Sequence, residues 1–247
     1  MKDCPSCGIQ VDIASASCPR CGFPFSSGMG TQTSVLPAKR PKIQASVDVA
    51  ITIDRTGSSL GFAKGISDSL PMILNPIGAK VASAKVFLQT HGDLDENEEM
   101  VLLTNGGTID QAIQDAQKIV FQGGGDPPEH HLDAIERLEK TVPWLGDPAR
   151  SRGVIIAFMT ADSKEARSKR SPREIGEEIK KKSLLLYLIC EPTPKLHELC
   201  VAAGGLMFRI SNSPNPAEMQ LIASQVSASI IAAVNTGGTK PMSVPLA

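Results

Sequence analysis

Residues 47–61 read VDVAITIDRTGSSLG. The run from Val47 to Ile53 is almost wholly apolar and rich in β-branched residues, which predicts a buried strand. Asp54 ends that run, and Thr56, Ser58 and Ser59 follow it closely. A charge at the end of an apolar strand costs free energy unless it is paired or coordinated. Three readings compete for this turn. Ser58 or Ser59 can cap a helix that begins near Leu60. The stretch from Gly57 to Gly61 also fits G-x-S-x-G, the elbow that exposes a serine nucleophile, with Asp162 and His197 following Ser59 in the order a hydrolase requires. Finally, Asp54, Thr56 and Ser58 stand at alternate positions. They project a carboxylate and two hydroxyls to one side, an oxygen set that a hard divalent cation such as magnesium accepts. A cap explains the serines but not Asp54. An elbow normally follows several strands that supply oxyanion donors, whereas here one strand precedes Ser59. The cation cradle is the reading we adopt.

Outward from this strand the chain alternates. GFAKGISDSLPMIL reads as a helix, KVASAKVFLQT and EEMVLLT as strands, and TIDQAIQDAQKIV as a helix. Next come EHHLDAIERLEKTV (helix), GVIIAFMT (strand), PREIGEEIKKK (helix), SLLLYLI (strand), KLHELCVAAG (helix), LMFRI (strand) and AEMQLIASQVSASIIAAV (helix). Nearly continuous apolar strands alternating with helices predict a doubly wound α/β domain, its mostly parallel sheet covered by helices on both faces. The pair joined by the acidic HGDLDENE is the exception and predicts an antiparallel hairpin at one edge. Ligands of such folds bind beyond the carboxyl ends of the strands, at the switch point, and Asp54 lies at such an end.

VDVAITIDRTGSS resembles the first signature of von Willebrand factor A (vWA) domains, whose metal-ion-dependent adhesion site (MIDAS) begins D-x-S-x-S. FQGGGDPPEHHLDAIERL is similar to the glycine-rich loop and following helix of bacterial members, and LCVAAGGLMFRIS to their last strand region. The likeness runs from about Val47 to Val234. It implies that Asp54, Thr56 and Ser58 hold a magnesium ion directly or through water. Asp126 stands where the family often has a threonine ligand, and its charge would weaken attraction to an incoming carboxylate. The family's last aspartate directly follows a threonine; here Thr160 is followed by Ala161, and Asp162 comes one residue later. The resemblance implies no enzymatic activity. It implies a protein-binding module in which a partner's Asp or Glu completes the metal's coordination, and bacterial members often act as assembly factors beside ATPases or kinases.

The N-terminus has its own chemistry. Cys4, Cys7, Cys18 and Cys21 form two C-x-x-C units, each followed by a glycine, Gly8 and Gly22. That spacing lets four thiolates converge on one tetrahedral ion, and the absence of an open position makes the expected zinc structural. Residues 1–25 are too few to build a core alone, so metal binding should supply most of the folding free energy. The segment resembles short zinc ribbons, some of which bind nucleic acid and others protein. Lys2 and Arg20 are its only basic residues, which favours docking to protein. Residues 26–45 read as a flexible linker, 46–235 as the vWA-like domain and 236–247 as a disordered tail.

Composition sets the outer bounds. The 247 residues are 41% hydrophobic and 21% charged, with a net charge of −1, so bulk electrostatics gives no pull toward nucleic acid or membrane. No signal-peptide core opens the chain and no apolar run approaches the roughly 20 residues of a membrane span. Cytoplasmic placement is expected, with Cys190 and Cys200 as isolated core thiols. Other features carry plainer expectations. HGDLDENEE spaces Asp93, Asp95, Asn97 and Glu99 like a calcium loop, but Glu98 and Thr104 replace the glycine and glutamate such a loop needs, so a solvated acidic hairpin is expected. His130 and His131 are expected to serve surface packing or hydrogen bonding at a helix start. The basic run from Lys164 to Lys182 is expected to be a solvated face, or a docking surface for an adaptor that binds nucleic acid.

Overall fold

The structure, a computed structural model, describes residues 1–3, 9–12, 14–17, 19–20, 43–125, 127–147, 150–211 and 214–243. The chain divides into two units, Met1–Arg40 and Pro41–Ala247. In the first, β1 (Lys2–Asp3) pairs antiparallel with β2 (Gln10–Val11), and the pair flanks residues 4–9. Cys4, Cys7, Cys18 and Cys21 lie outside the described residues, as does most of the predicted linker.

The second unit holds β3 (Ile43–Asp54), α1 (Leu60–Lys80), β4 (Val81–His91), β5 (Val101–Gly107), α2 (Ile109–Ala116), α3 (His131–Thr141) and β6 (Ser151–Phe158). It continues through α4 (Pro172–Lys181), β7 (Leu185–Cys190), α5 (Pro194–Ala203), β8 (Leu206–Arg209) and α6 (Pro216–Thr236). The six strands of its sheet run in the order β5-β4-β3-β6-β7-β8, and every pairing is parallel except β4 with the edge strand β5. Both the doubly wound sheet and the antiparallel edge hairpin were legible from the strand patterns. β6 and β7 are buried along their whole lengths, as strands covered on both faces must be.

The pleat divides the core. Val47, Val49, Ile51 and Ile53 of β3 point into a cluster with Leu70, Ile73 and Ile77 of α1, Ala112 of α2, and Ile222, Val226 and Ile230 of α6. Ala50 and its neighbours on the opposite face, including Phe87 and Ile155, pack with Leu132 and Ile135 of α3, Ile175 of α4 and Leu196 of α5. Helices α1, α2 and α6 therefore cover one face and α3, α4 and α5 the other.

Several boundaries differ from the sequence expectation, for physical reasons. β3 starts at Ile43, ahead of Val47, because its first residues add to the ladder beside Val81. α1 runs on through Pro71 and Pro76; the buried row Leu70, Ile73, Leu74 and Ile77 outweighs the hydrogen bonds those prolines remove. The segment after α6 was expected to be a disordered tail. Of it residues 237–243 are described, and there Arg152 donates to the carbonyls of Gly237 and Gly238, and the Met242 N–H donates to Ser229 Oγ at 3.0 Å. α6 is also long and apolar enough to cross a bilayer, contrary to the expectation that no stretch would be, but half of its apolar window is buried against the sheet and α1.

Gly176 sits where α4 meets α5. A Cβ there would lie 2.6 Å from the Leu199 carbonyl oxygen and 2.7 Å from the Ala202 methyl. Alanine is the better helix former by about 1 kcal/mol, but overpacking against backbone costs about 1–3 kcal/mol. Gly176→Ala should therefore destabilise the protein in denaturant unfolding, and a net gain in stability would show that the two helices can part freely.

Candidate functional site

The chain leaves β3 for β4 on one side, while β6 lies on the other, so the ends of β3 and β6 open a crevice at the switch point. Asp54 closes β3 there, in register with His91 of β4. Thr56 is extended, and a single 3-10 turn, Gly57–Ser59, leads directly into α1. Neither Thr56 nor Ser59 makes a side-chain cap bond to this turn or helix. Capping therefore does not account for the hydroxyls.

They face each other instead. Asp54 Oδ1 accepts from the Thr56 N–H at 2.9 Å and the Thr56 hydroxyl at 2.7 Å, and Asp54 Oδ2 accepts from the Thr160 hydroxyl at 2.7 Å. Thr56 Oγ1 and Ser58 Oγ lie 2.9 Å apart, and Thr160 Oγ1 is 3.1 Å from both Ser58 Oγ and Ser59 Oγ. Burial alone would raise the Asp54 carboxyl. The charges of His131 and His91 when protonated, and the bonds from Thr160 and Thr56, outweigh that and hold it at about 2. Asp54, Thr56 and Ser59 are buried, whereas Ser58 is exposed at the mouth of the cluster.

A glycine loop walls the cluster. Gly57 N–H donates to Gly123 O and Gln122 N–H to Arg55 O, each at 2.9 Å, while Gly123 and Gly124 both adopt φ of +80°. Glu98 latches this loop. Its Oε1 accepts from the Gly124 N–H at 2.7 Å and its Oε2 from the Asp93 N–H at 2.9 Å. The residue that spoils the calcium-loop pattern thus joins the acidic loop to the cradle.

Asp126 lies outside the described residues. Asp162 does not hydrogen-bond to the Asp54 cluster among the described residues; its Oδ1 accepts from the Ser163 N–H at 2.8 Å, and its carbonyl accepts from the Glu129 N–H at 2.9 Å. Glu129 is the residue that sequence reasoning passed over. It is 2% exposed, its Oε2 has no hydrogen-bond partner, and its Oε1 would lie 3.5 Å from a Cβ on Gly124, the same Cβ that would meet Thr56. Burial, reinforced by Asp54 and Asp93, pushes the Glu129 carboxyl up to about 7. A glutamate after two prolines at a helix start gives no signal in the sequence, because only folding carries it beside Asp54. A carboxylate held near 2, a second one with an unpartnered oxygen in the same buried neighbourhood and the hydroxyls of Thr56, Ser58, Ser59 and Thr160 form a donor set that fits a hard divalent cation.

The histidines are buried and serve hydrogen bonding, not surface packing: His130 is 3% and His131 0% exposed. His131 is in contact with His91, and His130 Nδ1 lies 2.9 Å from Asp93 Oδ1. Asp93, Asp95 and His130 place one ligand atom each within 4.8 Å of one another, an arrangement that can hold a metal ion. None of the three hydrogen-bonds to the Asp54 hydroxyl cluster among the described residues, and the Lys164 ammonium already lies at 2.8–2.9 Å from both Asp93 oxygens and one Asp95 oxygen. Asp93, expected in a solvated hairpin, is 1% exposed because this ion pair compensates it. The basic run is likewise partly committed inward, with Arg170 on Glu136 and Glu139 and Lys182 on Glu139. That leaves less free charge for a nucleic-acid surface.

The hydrolase alternative finds no geometry. Ser59 is wholly buried with its hydroxyl on Thr160, and His197 belongs to α5, lining a groove with Arg173, Glu177 and Lys180.

Compared with solved structures, the chain is similar to the crystal structure of the SpRpn10 VWA domain at a TM-score of 0.57 and 16% identity, covering 72% of this chain and 95% of that one. The fold is thus that of a VWA domain. No protein-family model and no curated protein matches the sequence.

Proposed function

We propose that this protein is a non-enzymatic protein-interaction module, an adaptor whose VWA-type fold presents a magnesium-dependent site at the ends of β3 and β6. Asp54, Thr56 and Ser58 would hold the ion, with Asp126 and Asp162 contributing from the neighbouring loops and Glu129 as an added carboxylate. A magnesium ion held there would offer a coordination position to an Asp or Glu of a partner protein, an ATPase or kinase of the same system being the expected class. Thr160 keeps Asp54 oriented, and Ser58 marks the open side. The observation that carries this reading is the interlocked cluster of Asp54, Thr56, Ser58 and Thr160 beside an unpartnered, buried Glu129. In the N-terminal unit, Cys4, Cys7, Cys18 and Cys21 would bind a structural zinc and add a second docking surface, an avidity arrangement. Buried free thiols at Cys190 and Cys200, pushed by burial to about 12 and about 11, suit a reducing compartment such as the cytoplasm.

Asp54→Ala tests the proposal. In manganese titrations followed by electron paramagnetic resonance, wild type should bind an ion that magnesium displaces, and the variant should lose at least tenfold in affinity while keeping its far-UV spectrum and its zinc. Partner capture should require magnesium and fail with the variant. Equal metal binding by the two proteins, or capture unchanged by magnesium removal with zinc retained, would refute the reading.

A further inference from the structure

Beneath Asp54 the sheet carries polar side chains where the rest of its face is apolar. On the α3 side of the β3–β4 pair, Ala50 and Phe87 belong to the core, and beyond them come Thr52 with Gln89 and then Asp54 with His91, each pair in register. Thr52, Gln89, His91 and His131 are at most 1% exposed. Buried polar groups persist only when satisfied, so their bonding pattern is informative.

The pattern has a direction. Gln89 Nε2 donates to the Ala134 carbonyl at 2.8 Å and to Thr52 Oγ1 at 3.1 Å, which fixes the amide and makes the threonine oxygen an acceptor. The Thr52 proton then goes to the remaining neighbour, His91 Nδ1, at 2.8 Å. The reverse arrangement would strand a hydroxyl proton in a dry interior, at a cost of about 1–3 kcal/mol. His91 therefore carries its proton on Nε2 and donates it to His131 Nδ1, 2.8 Å away, with the two rings edge to face. His131 in turn must carry its proton on Nε2. That nitrogen is buried without a hydrogen-bond partner, and the Ala161 backbone and the charges of Asp54 and Asp162 act on the ring.

We propose that Gln89, Thr52, His91 and His131 form a one-way hydrogen-bond relay that fixes His131 as an Nε2–H donor and positions the Ala161–Asp162 loop against Asp54 for cation binding. The four are positioning residues, since their hydrogen bonds run to one another and to the Ala134 carbonyl and none is among the donors assigned to the cradle. The inference rests on the cation reading above. It adds to that reading a reason why the loop can serve although Ala161 stands where the vWA pattern has an aspartate. The loop is already tied to the start of α3, by Glu129 N–H to Asp162 O, Lys164 N–H to Glu129 O at 2.7 Å, and Leu132 N–H to Ser163 Oγ at 3.0 Å. His131 links the same assembly inward to β3 and β4. Partners at this distance from a metal set ligand orientation, and removing them typically costs ten- to a hundredfold in affinity.

The test combines imidazole nitrogen NMR on metal-free protein with manganese titration. In wild type both His91 and His131 should show the Nε2–H tautomer. Thr52→Val, close in shape, should mix the tautomers of both rings and lower manganese affinity about tenfold, with native far-UV and near-UV spectra. Gln89→Met, which removes the donor that sets the direction together with its bond to the Ala134 carbonyl, serves as the second variant should Thr52→Val fail to fold, and it should act the same way. A wild-type His131 protonated on Nδ1, or a folded variant with unchanged tautomers and unchanged affinity, would overturn the relay while leaving the cation site standing. Wild type with the stated tautomers but no manganese or magnesium binding would overturn the cation reading, and with it the positioning role.

Discussion

Gly124→Ala will lower stability by about 1–3 kcal/mol and weaken cation binding at the cradle by tenfold or more. Gly124 holds φ at +80°, a conformation that side chains rarely adopt, and its Cβ would fall 2.8 Å from Thr56 Cβ. Thr56 Cβ is rooted in the backbone of the 55–58 turn, so it yields only by moving the turn that carries Ser58. The loop has little slack, because Gly57 and Arg55 bond to it on one side and Glu98 on the other. Gly125→Ala is the matched control. The nearest atom to its Cβ is the flexible Glu96 carboxylate oxygen at 3.1 Å, so its effect should stay within about 0.5 kcal/mol. Equal melting temperatures and equal manganese affinities for the two variants would show that the loop does not support the cradle.

Glu129 should make the metal-free protein less stable as pH rises, the reverse of ordinary carboxylate behaviour. Its carboxyl titrates at about 7 in the fold against about 4.5 when unfolded. Between those values the native state binds more protons than the unfolded one, so stability falls with pH across this window and stays low above it. The integrated loss is on the order of 3 kcal/mol for a fully buried group. In Glu129→Gln this contribution is absent. The variant should match wild type near pH 4.5 and exceed it at pH 8 in denaturant unfolding. Saturating magnesium should remove much of the wild-type loss at pH 8, because the deprotonated carboxylate then faces a cation, and it should leave the variant less affected. Parallel stability curves for the two proteins would mean that Glu129 is solvated or paired in solution.

The fold was read from the sequence with little loss because its information is local. Strands such as GVIIAFMT and SLLLYLI are apolar at consecutive positions and too short for a buried helix, a pattern that a strand covered on both faces satisfies. The acidic link between KVASAKVFLQT and EEMVLLT marked the antiparallel edge in the same way. The expectations that failed concerned how charges are compensated over long stretches of chain. Asp93 and Lys164 are 71 residues apart, and each alone looks like surface charge. His131 appeared to be a residue at an exposed helix start, yet its ring meets His91, 40 positions earlier. Arg152 holds the segment after α6 through bonds at sequence separations of 85 and 86.

The sequence by itself determined the doubly wound sheet, its edge hairpin and the turn at Asp54, because hydrophobic periodicity and the order of elements act over a few residues and dictate which faces must be buried. Only the tertiary structure decided what surrounds that turn. The hydroxyls of Ser58 and Ser59 meet Thr160, that of Thr56 meets Asp54 and Ser58, a buried Glu129 with an unpartnered oxygen lies nearby, and a buried histidine pair stands beneath. Those groups come from the ends of three strands, β3, β4 and β6, and from the start of α3, and the dry interior they share turns ordinary polar side chains into a strongly coupled set.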